Sequence, residues 1–261
     1  MNISSKHLNA IILSSMLCLV PDISAAQDTQ KSPALPPASD MDLSIKYFNR
    51  ELSTDGVLHE SSYEESMLRR NGHVWTQRVL PKQISENDTT HPPLPNPPPS
   101  GEGTNESLRD IHVNHEHKDF NYIVLPRHVA FDGSKTTVEF IDMHERQVIY
   151  IAPTEYENVN FDGSWLNTYY LVNPQYVAAM PLASRPSTTA HTQWHEAKNT
   201  KLYQRILWND KLNIPLIIET GDIAGTFLNR ITVSPKTKLT QNIPWQRLQG
   251  FTQKEYSDFL D

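Results

Sequence analysis

The chain has 261 residues, with 23 lysines and arginines against 30 aspartates and glutamates, for a formal charge of −7. That balance excludes nucleic-acid binding through bulk charge, and a hydrophobic content of 38% supports a packed core. Gly is scarce at 9 and Pro plentiful at 19, so parts of the chain must lie outside that core.

Residues 1–26 carry Lys6, an apolar stretch over 8–20 and the small residues Ser24-Ala25-Ala26, the pattern of a secretory signal cleaved near Ala26. The apolar stretch is broken by Asn9 and Ser14-Ser15 and ends at Pro21, short of the roughly 18 residues of a spanning helix. The expected location is the periplasm, reached through the inner membrane, with at most peripheral membrane contact. Cys18, the one cysteine, falls inside the removed segment. The mature chain therefore has no disulfide, no cysteine zinc site, no thiol catalysis and no Cys-x-x-Cys-His haem attachment.

Residues 27–38 hold three prolines and no periodicity, and read as a flexible leader to a single domain over 39–261. Ser39-Asp40-Met41-Asp42 resembles a helix N-cap with an acid three residues on. Met41, Leu43, Tyr47, Phe48 and Leu52 then recur at helical spacing up to Thr54-Asp55-Gly56. An N-terminal amphipathic helix is predicted there. Asn71-Gly72 between the alternating runs 66–70 and 73–80 predicts a two-residue hairpin turn, in which residue i faces 143 − i, setting Leu68 opposite Trp75 and Glu65 opposite Arg78.

From about 82 to 117 the pattern collapses, with six prolines between Pro92 and Pro99, and predicts a disordered insertion between two strands. Strand patterning resumes at Tyr122-Ile123-Val124-Leu125. Asp132-Gly133 and Asp162-Gly163 mark tight turns, and 136–142 with 147–152 form a meander. A strand over 165–172 and a long, weakly patterned connection over 176–197 follow. Runs at 201–208, 214–219 and 226–233 make a last meander. Thr252-x-x-Glu255 is a capping box that predicts a short C-terminal helix.

About nine strands against two helices give a mainly β (α+β) fold. So many consecutive antiparallel strands must curl, and the predicted architecture is a curved, half-open β-barrel with the N-terminal helix as its plug.

The stretch 47–80, with Asp55-Gly56, then arginines before Asn-Gly-His-Val-Trp, resembles the opening of the periplasmic LolA/RseB-type superfamily. Asp132-Gly133-Ser134-Lys135 with Val138–Asp142 and Arg146-Gln147-Val148, and Lys201–Trp208 leading to Ile214-Pro215-Leu216 and Phe227, resemble later strands of the same superfamily. It comprises lipoprotein carriers and a sensor that guards an anti-sigma factor. The resemblance implies a non-enzymatic periplasmic protein that holds an acyl chain, a lipoprotein or an apolar segment of a membrane-anchored partner, with sigma-factor regulation as one setting. The proline-rich insertion has no counterpart in that pattern, and too few residues follow Val233 for a second RseB-type domain.

Leu68, Trp75, Phe140, Trp165, Tyr169 and Trp208 are the candidate ligand-lining residues, since large apolar side chains on a curved sheet either fill its core or line a cavity. His112, His115 and His117, with Glu116 and Asp119, are candidate Cu or Zn ligands, and a metal-binding protein is the first alternative. A regulatory or assembly adaptor without a small ligand is the second. His144-Glu145, Trp194-His195-Glu196 and His73 have the residue types of acid–base chemistry. No Gly-x-Ser-x-Gly, His-Glu-x-x-His or phosphate-cradling loop accompanies them, so neither an enzyme nor a cofactor is expected. Met67–Arg70 with Arg78 forms a basic spot suited to a phosphate headgroup or an acidic partner segment, offset by Glu64 and Glu65.

Overall fold

A computed structural model describes residues 39–80 and 120–259. The predicted signal, leader, insertion and histidine cluster at His112, His115 and His117 lie outside the described residues. The described chain forms one open, curved sheet of eleven strands in the order β11-β6-β5-β4-β3-β2-β1-β10-β9-β8-β7. The strands are β1 (Met41–Leu52), β2 (Leu58–Arg70), β3 (His73–Val79), β4 (Arg127–Phe131), β5 (Thr136–Asp142) and β6 (Gln147–Ile151). They continue with β7 (Thr192–Lys198), β8 (Leu202–Asn209), β9 (Ile214–Asp222), β10 (Phe227–Pro235) and β11 (Thr252–Glu255). Two short helices, α1 (Trp165–Tyr170) and α2 (Pro174–Ala179), lie between β6 and β7.

The hairpin register holds as predicted: Leu68 faces Trp75 and Glu65 faces Arg78. Gly72 occupies φ +71, which a side chain would resist. The meanders over β5–β6 and β8–β10 also form. The insertion falls between β3 and β4, which are hydrogen-bonded neighbours.

The N-terminal plug helix does not exist. Residues 41–52 form β1, the central strand, paired with β2 on one side and β10 on the other. Met41, Leu43 and Ile45 alternate with Asp42, Ser44 and Lys46, and this period of two lets a strand bury all three on one face. The presumed cap acid Asp42 instead accepts from the Thr240 amide at 2.7 Å and pairs with Arg70 at 2.8 Å.

Three further expectations are corrected. Residues 165–170 form α1 rather than a strand, because the Ser164 side chain accepts from the Asn167 amide as an N-cap and Asp162 prepares that turn by accepting from the Ser164 amide. Leu171 at φ +67 ends the helix and Asn173-Pro174 opens α2. Residues 121–125 make a turn about Asn121, which accepts from the Ile123 amide, and strand β4 begins only after Pro126. The capping box at Thr252 opens no helix: 252–255 add to β6 as a parallel strand, followed by the 3₁₀ turn Tyr256–Phe259.

The sheet has two unlike faces. The main face carries Leu43, Ile45, Met67, Val129, Val138 and Ile151, all nearly solvent-free, and is roofed by 120–125, by the 3₁₀ turn Pro153–Val159 and by α1 and α2. The second face buries Leu68, Trp75 and Ile141 under Trp245, Leu248 and Phe251 of the strap that returns from β10 to β11. Farther along it, Glu196, Arg205, Glu219 and Arg230 stand side by side on β7 to β10. Arg205 meets Glu196 at 3.1 Å and Arg230 meets Glu219 at 2.7 Å, an alternating ladder of charge that keeps this part of the surface wet.

Both flanks of the sheet are partly occupied. On β7, Ala183 donates to the Trp194 carbonyl at 2.8 Å and Glu196 donates to the Pro181 carbonyl at 2.9 Å. The other flank, β6, is covered by the four-residue β11.

Candidate functional site

The six candidate ligand-lining residues divide between the faces. Leu68 and Trp75 point to the second face and pack under Trp245. Phe140, Tyr169 and Trp208 are buried in the main-face core, with half-buried Trp165 packed against them. Phe140 and Trp208 are on strands, whereas Trp165 and Tyr169 belong to α1. Tyr169 packs tilted against Trp165 at 4.9 Å, and Trp165 stacks on Phe131 at 5.3 Å, so the helix is pressed onto the sheet through rings.

At the centre of this contact lies a residue that the sequence pattern did not single out by itself. Arg69 belonged to the predicted basic spot, but alternation along β2 turns it to the main face, where its relative exposure is 0%. Its guanidinium donates to the Tyr169 carbonyl at 3.2 Å, to the Ser39 carbonyl at 3.3 Å and to the Leu212 carbonyl at 3.5 Å. The rings of Tyr169 and Tyr170 lie 5.0 and 5.8 Å from it. No carboxylate forms an ion pair with it among the described residues, and its Nε has no hydrogen-bond partner there. Burial lowers the pKa of this guanidinium, opposed by the surrounding tyrosines and Asp40.

A buried cation costs several kcal/mol unless it is well solvated by its surroundings. Here carbonyl dipoles and aromatic faces replace water, and each partner lies on a different segment: the approach to β1, α1, and the β8–β9 link. Arg69 therefore ties the helical cover to the sheet. The remainder of the basic spot is also spent: Arg70 pairs with Asp42, and Arg78 lies 3.7 Å above the Tyr63 ring. Burial first, then Glu65, pushes the Tyr63 phenol up to about 12.

Among the described residues, His144 and His195 stand apart from each other and from His73. His144 is exposed beside Glu145 at 3.0 Å, and His195 is buried with Nδ1 at 3.2 Å from the Met180 carbonyl. His73 alone has a histidine and an acid in line, with His128 at 3.1 Å and Glu139 beyond it. The Asp132-Gly133 turn held the clue, since it sets Phe131 against Thr136 and hence His128 against Glu139. Among the described residues no group of three or more His, Cys, Asp or Glu side chains is placed to hold a metal, and no helix is long and apolar enough to cross a membrane.

No family model matches the chain, and no curated protein matches it. Solved structures do. The chain is similar to a LolA superfamily protein of Nitrosomonas europaea at 8% identity and a TM-score of 0.29, covering 80% of this chain and 90% of that one. It is similar to the MucA/MucB complex structure of Pseudomonas aeruginosa at 8% identity and a TM-score of 0.33, covering 80% of this chain and 55% of that one. It is also similar to PNGF-II at 10% identity and a TM-score of 0.35, and there it spans 33% of the other chain. The LolA/RseB-type resemblance of the sequence is thus met again among the structural neighbours.

Proposed function

We propose that this chain is a non-enzymatic binding protein of the periplasm that holds an apolar chain between the main face of its sheet and the helical cover. The occupant is an acyl chain, alone or on a lipoprotein, or an apolar segment of a partner protein. The observation that carries this reading is Arg69, a fully buried cation whose partners are carbonyls and rings of the cover rather than a carboxylate. Helices of six residues are not stable alone, so α1 is held by the Arg69 contact, α2 by the bonds of Tyr176 to Gln204 and of the Met180 carbonyl to His195, and both by apolar packing; with so few anchors they can lift as a local unit.

Lifting α1 uncovers Phe131, on which Trp165 is stacked, and turns the rings of Trp165 and Tyr169 toward a guest. Each methylene buried contributes about 0.8 kcal/mol, so a chain of about a dozen gives roughly 10 kcal/mol before the cost of association, and retention on the order of 0.1 mM after about 4 kcal/mol of that cost. The test is native mass spectrometry of protein purified from periplasm, with displacement of a fluorescent fatty acid. A lipid that copurifies, and a saturable fluorescence change weakened in Arg69→Leu, is the expected result. Protein that is consistently empty and never shifts the fluorophore overturns the reading.

A further inference from the structure

Three side chains that the proposed binding does not use form a line across the second face. Glu139 Oε2 lies 3.1 Å from His128 Nδ1, and His128 Nε2 lies 3.1 Å from His73 Nδ1. A carboxylate only accepts, so His128 donates from Nδ1 and, when neutral, offers a lone pair at Nε2. His73 must then donate from Nδ1, which leaves the Nε2 of neutral His73 as an acceptor. The Trp245 indole fixes both rings, stacking on His73 at 5.2 Å and on His128 at 5.3 Å. Burial first and His128 second hold His73 below its ordinary pKa, which favours the neutral form this chain of bonds requires.

His73 and Trp245 line an open cavity of about 490 Å³ beside the β2–β3 turn, together with Asp40, Arg70, Leu239 and Ile243. Its charge is lopsided, with Asp40 and Asp42 set against the single guanidinium of Arg70. Arg70 Nη1 is 2.8 Å from Asp42 and donates to the Arg69 carbonyl at 2.8 Å and the Met41 carbonyl at 3.2 Å, while Nη2 donates to the Thr240 carbonyl at 3.0 Å. Asp40 is half exposed, and its ion-pair partner is Arg70 Nε, 3.8 Å away. What remains to offer a guest is the Asp40 carboxylate, an imidazole lone pair, the uncharged polar residues Asn71, Thr240, Gln241 and Gln246, which suit either sign of charge, and the apolar side chains of Leu239, Ile243 and Trp245. An anion would meet Asp40 and an already committed guanidinium, whereas a protonated amine can donate to both acceptors.

We propose that this cavity is a binding site for a small organic cation: a protonated amine on a compact apolar body, its ammonium shared by Asp40 and His73 Nε2 and its body against Leu239, Ile243 and Trp245. The volume is within the range of small-molecule sites. Acid weakens the site, because protonated His73 presents a donor and a charge where the acceptor was. The other charged or titratable groups facing His73 are His128, Glu139, Arg70, Asp40 and Asp42, so the effect is read against variants.

The experiment is calorimetric titration of the full chain with phenethylamine, with phenylpropionate as an acidic analogue of similar size and imidazole ¹⁵N NMR as the positional readout. Phenethylamine is expected to bind saturably and move the His73 Nε2 resonance, while phenylpropionate does neither. Asp40→Asn, which removes one weak ion pair of the fold, should weaken phenethylamine about tenfold, as loss of a charge-assisted hydrogen bond does. His73→Phe keeps a ring under Trp245 and should weaken it comparably. Equal binding of amine and acid, an unmoved His73 resonance, or full affinity in both variants overturns the proposal.

Discussion

At the scale of the residue, a buried carboxyl and a half-buried imidazole each contribute to how the protein responds to acid. Burial alone would raise the Asp42 carboxyl, but the hydroxyl and amide of Thr240 and the charge of Arg70 outweigh it and hold the pKa below 3.8. A depressed carboxyl contributes stability that is present above the unfolded pKa and lost as pH falls through the folded one. Asp42→Asn should therefore lower the melting temperature at pH 7 and leave less of the loss seen below about pH 4. His73 acts at milder acidity. Its pKa lies below 6.5 in the fold, so the unfolded chain binds the proton first, and stability declines as pH falls from about 6.5 through the folded pKa. Thermal melts between about pH 7 and pH 5 should show that decline in the wild type and a flatter profile in His73→Gln. A third residue is sensitive to added volume: a Cβ at Gly221 would lie 2.6 Å from the Tyr203 hydroxyl and 2.9 Å from the Phe227 carbonyl. Gly221→Ala should destabilise by about 1–3 kcal/mol in denaturant titration.

At the scale of the element, legibility depended on whether a local signal had a rival. The β2–β3 hairpin was readable in full because Asn71-Gly72 admits one turn type and that turn dictates register. Residues 41–52 contain both a helical spacing, Met41, Leu43, Tyr47, Phe48 and Leu52, and a period of two. Pairing with both β2 and β10 decided for the strand, a contact with residues nearly two hundred positions away that no window of the sequence contains. Residues 165–170 erred the other way: aromatic content spoke for a strand, and the single hydroxyl of Ser164 for a helix start. The role of Arg69 was hidden for a related reason, since its inward direction follows from alternation but its solvation follows from where α1 comes to rest. The strap over the second face offers an element-scale test. Trp245 covers Trp75, His73 and His128, and Trp245→Ala should cost about 2–3 kcal/mol and increase binding of a hydrophobic dye.

At the scale of the whole molecule, β1 is the seam. Strands β2 to β6 and β11 lie on one side of it and β7 to β10 on the other, so either half is incomplete until Ile45 meets Glu65 across one edge and Val233 across the other. Ile45 is 1% exposed. Ile45→Ala should therefore cost about 2–4 kcal/mol, and fluorescence and far-ultraviolet dichroism should report one coincident transition rather than two. The pairing of β1 with β10 also closes a loop of nearly the full described chain, which places folding among the slow β topologies.

The partly occupied flanks give the molecule a way to be crowded safely. Eleven strands would ordinarily present two long ribbons of unmet amide and carbonyl groups, each a template on which a neighbouring copy could lengthen the array into a fibril. Two main-chain bonds to residues 181 and 183 take up part of the β7 edge, and at the other end the outermost strand, β11, is only four residues long. The concentrated protein should remain clear and thioflavin-negative.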